Sequence, residues 1–347
     1  MEATSRATLE HVARRAQVSR QTVSNVINAP HLVRADTTER VRAAIEELGY
    51  RPSTAARQLR TGRSHVLGLR IEPVRDGING AVLDRFLHAL TERAQSRGYR
   101  VMLFTAADDD REIQQYDELL ETADLDAFVL TSTHHGDRRT QWLGERDVPF
   151  VTFGRPWEVE DGPAVADHPW VDVDGAAGTR AAVEHLQQLG HHRIALIGWP
   201  DGSDVGADRR RGWLEALRRA GWDDDGVAQL EAAVPDGVAS GERATRLLLE
   251  RAHPTAFVCA SDSLALGALG AIRSHDAPPA AVVGFDDTPV AAALGLTSVA
   301  QPLAEAADRA LGLLLRRLDG GADPVPDPHV LLTPHLVVRA SSTPPPA

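Results

Sequence analysis

The stretch SRQTVSNVI, Ser19 to Ile27, carries Arg20, Gln21, Ser24 and Asn25 between a few apolar residues. An arginine can bridge O6 and N7 of guanine, and a glutamine or asparagine can bridge N6 and N7 of adenine. That is chemistry for reading base edges. A different set lies further along. Ser261 and Asp262 follow the apolar run TAFVCA, Asp286 and Asp287 follow AVVGF, Asp174 ends WVDVD, and Arg209 opens RRRGWLEAL. Carboxylates and a guanidinium can grip vicinal hydroxyls bidentately. Trp157, Trp170 and Trp199, read as lying just after strand ends, and Trp213 beside the arginines offer flat apolar faces for a sugar ring. In a chain with only 5% aromatics this concentration points to a carbohydrate, a mono- or disaccharide.

The first set needs helices to present it. Thr8 is suited to cap a helix from Leu9 to Ala16, where Leu9, Val12, Ala13 and Ala16 form one apolar stripe. Gln17-Val18 then makes a tight turn, and Ser19 caps a second helix that turns Val23, Val26 and Ile27 inward. Arg20, Gln21, Ser24 and Asn25 are left on the outer face. A third helix, Thr37 to Leu48, buries Val41, Ala44, Ile45 and Leu48 and ends at Gly49. Two short helices joined by a tight turn and backed by a third make a helix-turn-helix, whose second helix can enter the major groove.

The second set needs sheets. From His65 onward, VLGLRI, YRVMLF, DAFVLTS and VPFVTF read as buried parallel strands separated by amphipathic helices. RIALIGW, AQLEAAV, TAFVCAS and AAVVGFD form a second such series. Two series imply two doubly wound lobes, and TSVAQPL and HVLLTPHLVVRAS suggest repeated crossings between them. Ligands of such sheets sit beyond the carboxyl ends of the strands, here between the lobes.

Charge separates the two parts. Net charge is −12, yet residues 1–63 hold eleven Arg against six acidic residues, net +5, which leaves −17 for the rest. A basic head on an acidic body meets a polyanion through the head alone. The chain contains no lysine, as a genome-composition bias would produce. A single cysteine, Cys259, cannot form an internal disulfide and suits a reducing cytoplasm. No apolar run approaches the roughly 20 residues of a membrane span, and MEATSRATLE lacks the apolar core of a secretory signal. The adjacent pairs His134-His135 and His191-His192 are poorly placed to chelate one metal. There is no phosphate-binding glycine loop and no G-x-S-x-G elbow, so neither a cofactor nor an enzyme is expected. A transport-type sugar-binding protein or an αβ enzyme without a DNA role is the alternative, and it leaves residues 1–63 unexplained.

TLEHVARRAQVSRQTVSNVIN followed by VRAAIEELGYRPSTAARQL resembles the head of the lactose/galactose-repressor (LacI/GalR) family of bacterial transcription regulators. The resemblance implies an N-terminal all-α helix-turn-helix head plus an α/β two-lobed periplasmic-binding-protein-like effector domain. It makes Arg20 and Gln21 the principal base readers, with Asn25 one turn later. Thr8, Ser19, Thr22 and Ser24 become phosphate contacts. Asn25 departs from the arginine often found there, and Arg34 from a serine cap. It also implies that a linker around RPSTAARQLRTG becomes helical only when two copies pair on operator DNA, with Leu59 wedged into the minor groove beside Ala56. In the body the family pattern selects Arg209 among its neighbours and Asp286 as ligand contacts, with Asp287 as a cap. Arg75, Asp76 and Asn79 occupy the first loop of the cleft. The expected organisation is a DNA-binding domain at 1–50, a hinge at 51–63, a ligand-sensing and dimerisation domain at 64–340 and a flexible tail at 341–347. The expected function is a cytoplasmic homodimeric repressor of a sugar-utilisation operon. It would bind a palindromic operator and be released by a carbohydrate inducer.

Overall fold

The computed structural model describes residues 7–50, 62–71, 80–157, 168–274, 279–320 and 327–342. The chain divides between Ser64 and His65 into a small helical unit and a larger α/β unit.

The helical unit contains α1 (Leu9–Ala16), α2 (Arg20–Asn28) and α3 (Ala35–Glu47). Thr8 caps α1 through a reciprocal pair: its hydroxyl accepts from His11 N, and His11 Nδ1 accepts from Thr8 N. Gln17 closes α1 in the left-handed region, at φ 54°, which turns the chain sharply toward Ser19. Ser19 Oγ then accepts from Thr22 N at 3.0 Å and starts α2. Val12, Ala16, Val23, Val26, Val41 and Ala44 form the buried centre, with Val18 packed against it from the turn. The third helix starts two residues before the expected Thr37. Its N-cap is Arg34, whose side chain makes no capping hydrogen bond. The helix ends at Glu47, and Gly49 follows at φ 58°.

The α/β unit has two lobes. The first begins with β1 (Val66–Arg70), α4 (Gly80–Ser96), β2 (Arg100–Phe104), α5 (Asp109–Thr122), β3 (Ala127–Thr131), α6 (Arg138–Glu145), β4 (Phe150–Phe153) and β5 (Trp170–Val173). The second comprises α7 (Gly175–Gln188), β6 (Ile194–Gly198), α8 (Asp204–Arg219), α9 (Asp224–Gln229), β7 (Glu231–Ala233), α10 (Val238–Ala252), β8 (Ala256–Cys259), α11 (Asp262–Ser274), β9 (Ala281–Phe285), α12 (Pro289–Ala293) and β10 (Thr297–Ala300). α13 (Leu303–Leu318) and β11 (His329–Leu332) return to the first lobe, and β12 (His335–Val337) ends in the second.

The sheet orders are β11-β5-β4-β3-β1-β2 and β12-β10-β9-β8-β6-β7. Every pairing is parallel except β10 with β12. Strands covered on both faces read as continuous apolar runs, which is why IALIG, AFVC and AVVGF are buried at every position. The chain crosses between lobes three times, at residues 174, 301–302 and 333–334. These crossings leave from the carboxyl ends of β5, β10 and β11, and Val173 and Gln301 beside the first two line the groove between the lobes.

Two expectations fail locally. AQLEAAV is a strand only over Glu231–Ala233, because Asp223 caps a short helix that runs through Gln229. The tail does not begin at 341. Ser341 Oγ donates to the Val282 carbonyl (2.6 Å), and buried Ser342 contacts Thr297 Oγ1 at 2.7 Å and His185 Nε2 at 2.9 Å. These hydroxyls are spent on backbone and buried partners, so the chain stays docked through Ser342. Among the described residues no helix is long and apolar enough to cross a membrane.

Candidate functional site

On the helical unit, α2 buries Val23 and Val26 and leaves Arg20 and Gln21 exposed, with Thr22, Ser24 and Asn25 half-buried. Gln21 Nε2 donates to Asn25 Oδ1 at 2.9 Å, so two side chains expected to read bases hold each other one helical turn apart. Ser19 and Thr22 share a hydroxyl contact of 2.9 Å, and Asn28 donates to Ser24. The face therefore carries one arginine and two carboxamides, an arrangement able to address purine edges. Ala56 and Leu59 lie outside the described residues, as do Arg75, Asp76 and Asn79 of the body.

The groove between the lobes encloses a cavity of about 910 Å³. Of the expected contacts, Trp199, Arg209 and Asp286 line it, together with Trp157. Arg209, on the first turns of α8, is buried. Its Nη1 donates to the Ala260 carbonyl, its guanidinium lies 3.7 Å from the Phe285 ring centre and 5.0 Å from that of Trp199, and Nη2 stands 3.4 Å from Asp286 Oδ1. Asp286 takes φ 108° and Asp287 φ 47°, two successive non-glycine residues in the left-handed half of the map. The Asp286 amide bond to Val299 O (2.8 Å) and the Asp287 amide bond to Ser298 Oγ (3.0 Å) hold that turn. Gln301 Nε2 donates to Asp286 Oδ1 at 2.7 Å. Burial pushes the Asp286 carboxyl up to about 7, against the opposing pull of Arg209.

Three polar links join the lobes at the groove. Arg85 on α4 donates to the carbonyls of Asp286 (3.3 Å) and Asp287 (3.2 Å). The His135 amide donates to Asp204 Oδ2 at 2.8 Å. Arg155 pairs with Asp172 at 3.1 Å within the first lobe and with Asp208 at 2.6 Å across the gap. Its guanidinium also covers the Trp157 ring at 4.5 Å. Burial raises the Asp172 carboxyl to about 6, with Arg155 opposing. Sequence inspection missed Arg155, Asp172, Asp208 and Gln301. The one local signal was Asp172 itself, a charged residue inside the apolar alternation of WVDV.

Several expected contacts are elsewhere. Trp213 is fully buried and donates Nε1 to the Ile194 carbonyl at 3.0 Å, because it sits one turn further along α8 than Arg209, beneath the sheet. Trp170 opens β5 rather than following a strand, which places it away from the groove, stacked on His329 with ring centres 5.1 Å apart. Asp174 caps α7 through Ala177 N at 2.8 Å. Ser261 donates to Asp236 at 2.5 Å and accepts from Leu264 N, capping α11. Asp262 is buried and accepts from Thr288 N, Thr288 Oγ1 and Ser298 Oγ, joining the start of α11 to the cap of α12 and to β10. Asp287 pairs with Arg339 at 2.7 Å, and Thr288 caps α12 in its stead.

A second buried network supports the wall of the first lobe. Arg139, with no exposed surface, donates to Asp137, to Glu112 (2.9 Å) and to the carbonyls of Thr131 (3.3 Å) and Ser132 (3.2 Å), which lie at the groove. Tyr116 donates to Glu112 at 2.5 Å, and Arg70 pairs with it at 3.1 Å. Asp109, His134 and Asp137 come close enough together for an ion, but Arg139 already pairs with both carboxylates.

Residues 8–53 match the model for bacterial regulatory proteins of the lacI family, and residues 183–342 match the periplasmic binding protein-like domain. The chain is 37% identical to the HTH-type transcriptional regulator CelR of Thermobifida fusca, over 98% of this chain and all of that one. A solved complex of the transcriptional regulator CelR with cellobiose is similar at a TM-score of 0.69 and 33% identity, covering 97% of this chain and 100% of that one. A lac repressor dimer bound to operator and the anti-inducer ONPF is similar at a TM-score of 0.79 and 27% identity, covering 98% and 100%. An exposed Arg-Gln helix face on one unit, a two-lobed groove on the other and full-length similarity lead to one assignment: the chain belongs to the lacI family of bacterial regulatory proteins, DNA-binding regulators of transcription.

Proposed function

We propose that this chain is a cytoplasmic repressor of a sugar-utilisation operon, acting by binding and not by catalysis. As a homodimer it holds a palindromic operator, and a carbohydrate inducer releases it. Arg20, Gln21 and Asn25 read the half-site, and Thr8, Ser19, Thr22 and Ser24 hold phosphates. Residues 51–63 form the paired hinge, with Leu59 and Ala56 at its centre. The observation that carries the effector reading is Arg209, clamped between Phe285 and the Ala260 carbonyl and set against Asp286 in a groove walled by Trp157 and Trp199. A guanidinium and a carboxylate side by side offer donors and acceptors to vicinal hydroxyls, and the indoles offer apolar faces. Complexes of relatives with cellobiose and with operator support the same reading. Thermal-shift screening of a sugar panel, followed by calorimetry, tests it. Stabilisation by a sugar is expected, and a purine or amino acid binding in place of every sugar overturns it.

A further inference from the structure

Arg155 ties together groups that no single element contains. Its guanidinium covers the Trp157 ring at 4.5 Å. Nε lies 3.1 Å from Asp172 Oδ2 on β5, and Nη2 lies 2.6 Å from Asp208 Oδ2 on α8 of the opposite lobe. Trp157, Asp172 and Asp208 line the groove cavity, and Arg155 is not among the described residues of that lining. It acts on the wall and not on what the cavity holds.

Both carboxylates flank one chain crossing. Asp172 comes just before the crossing at residue 174, and Asp208 Oδ2 accepts from Ala176 N, just after it, at 3.1 Å. Gly175 allows this approach, because a Cβ there would stand 2.9 Å from Asp208 Oδ2. The guanidinium thus closes a clasp around residues 172–176, with one jaw on each lobe. One turn earlier on α8, on the same face, Asp204 Oδ2 accepts from the His135 amide at 2.8 Å. His135 belongs to the loop after β3, which is pinned twice to the segment carrying Arg155. Thr133 Oγ1 donates to the Arg155 carbonyl at 2.9 Å, and His135 Nδ1 meets the Trp157 carbonyl at 2.9 Å. The two loops therefore meet α8 together, clasped at the crossing and touching again one turn further out.

With Arg155 17% and Asp208 4% exposed, the pair is largely desolvated, and removing one partner of such a pair is costly. That cost falls on the contact between lobes. Asp208 retains Arg211 (2.5 Å) and Ala176 N, and Asp172 retains Val173 N at 2.8 Å. We infer that Arg155 is a positioning residue for the regulator's response: by clasping the crossing it holds the loop after β3 against α8 and keeps Trp157 in the groove wall. The clasp sets the free-energy difference between lobe arrangements, to which any groove ligand then adds its own preference.

The test uses the full-length protein, with amide exchange over residues 132–137 and fluorine NMR of the fluorotryptophan-labelled chain, in which Trp157→Phe assigns the Trp157 resonance. Arg155→Gln should speed exchange over residues 132–137 about tenfold and shift the Trp157 resonance, leaving those of Trp142 and Trp222 in place. Asp208 lies on the other lobe from both reporters, yet Asp208→Asn should move both in the same direction, with exchange at least about threefold faster. The double variant should exchange within about twofold of Arg155→Gln alone, because the two substitutions break one contact. Arg155→Lys keeps the cation without the planar fork and should return exchange to within about threefold of the parent. Unchanged exchange in Arg155→Gln, a double variant whose effect is the product of the single ones, or a Trp157 resonance that Asp208→Asn leaves unmoved would each overturn the inference. Should Arg155→Gln not fold, Asp208→Asn carries the same two readouts and decides alone. None of these measurements uses sugar or operator, so their failure leaves the proposed function standing.

Discussion

Arg20 stands exposed at the start of α2, next to a glutamine that is already engaged with Asn25. Reading an adenine with Gln21 therefore means exchanging that internal hydrogen bond for one to the base, a near-balanced exchange that favours sequences offering a good partner. Arg20 has no such contact among the described residues, and Arg20→Ala should cost about 1–3 kcal/mol at one base pair and relax selection there. Binding-site selection checks this, and an unchanged preference would take α2 out of the recognition surface. In the groove, Asp286 makes a prediction about pH. Its carboxyl ionises near 7 in the folded chain, raised by burial from 3.8. Between about pH 4 and pH 7 the folded chain keeps a proton that the unfolded chain has lost, so stability falls as pH rises through this window. The slope from this one group is at most about 1.4 kcal/mol per pH unit. The contribution is complete below the unfolded pKa and is gone above the folded one. Asp286→Asn should flatten that part of the profile, and Asp172, ionising near 6, keeps the remainder. Urea denaturation of both proteins between pH 4.5 and 7.5 measures the difference, and identical slopes would refute it.

Elements were legible where a short-range rule decides them. The stripe of Leu9, Val12, Ala13 and Ala16 with Thr8 before it fixes α1, and Ser19 fixes the start of α2, because capping and period 3.6 act within one or two turns. The two β-α series were legible for the same reason: strands buried on both faces are apolar throughout. What sequence could not supply was depth. Arg209 and Trp213 are one turn apart on the same helix, yet one lines the groove and the other lies beneath the sheet. Arg155, Asp172 and Asp208 come from a loop, a strand and a helix of two lobes, and nothing local marks them as neighbours. Gly212 was equally silent, although a Cβ there would stand 2.0 Å from the Ala176 carbonyl where α7 and α8 cross. Arg34 is the element-scale exception that sequence did flag. It occupies the N-cap of α3 with extended backbone, φ −62° and ψ 146°, and offers no capping acceptor. Arg34→Ser supplies one and should stabilise α3 by about 0.5–1 kcal/mol. Slower amide hydrogen exchange over residues 35–47 of the full-length protein is the expected result, and unchanged exchange would show that the orphan amides already have other partners.

At the scale of the whole molecule, the proposed repressor needs a path from groove to operator. Arg85 donates to the backbone carbonyls of Asp286 and Asp287, and Arg155 reaches Asp208 across the gap, so the lobes are joined through residues beside the effector contacts. A ligand that bridges both walls changes the relative free energies of lobe arrangements, and it shifts the equilibrium only by its differential affinity for them. In the proposed dimer, residues 51–63 would act as the two hinges, and segments of this length do not persist as helices alone. Lobe movement that separates them frees the heads from fixed half-site spacing. The coupling should be about 1–3 kcal/mol, a factor of roughly 5–150 in operator affinity. Linkage makes the effect reciprocal: operator DNA must weaken the sugar by the same factor that the sugar weakens operator binding. Titrating the best-binding sugar with and without saturating operator, and operator with and without saturating sugar, gives the two factors independently. Equal factors and release of DNA are expected. Tighter operator binding with sugar would make the effector a corepressor. Sugar affinity unaffected by operator would mean that the groove and the α2 face are not coupled.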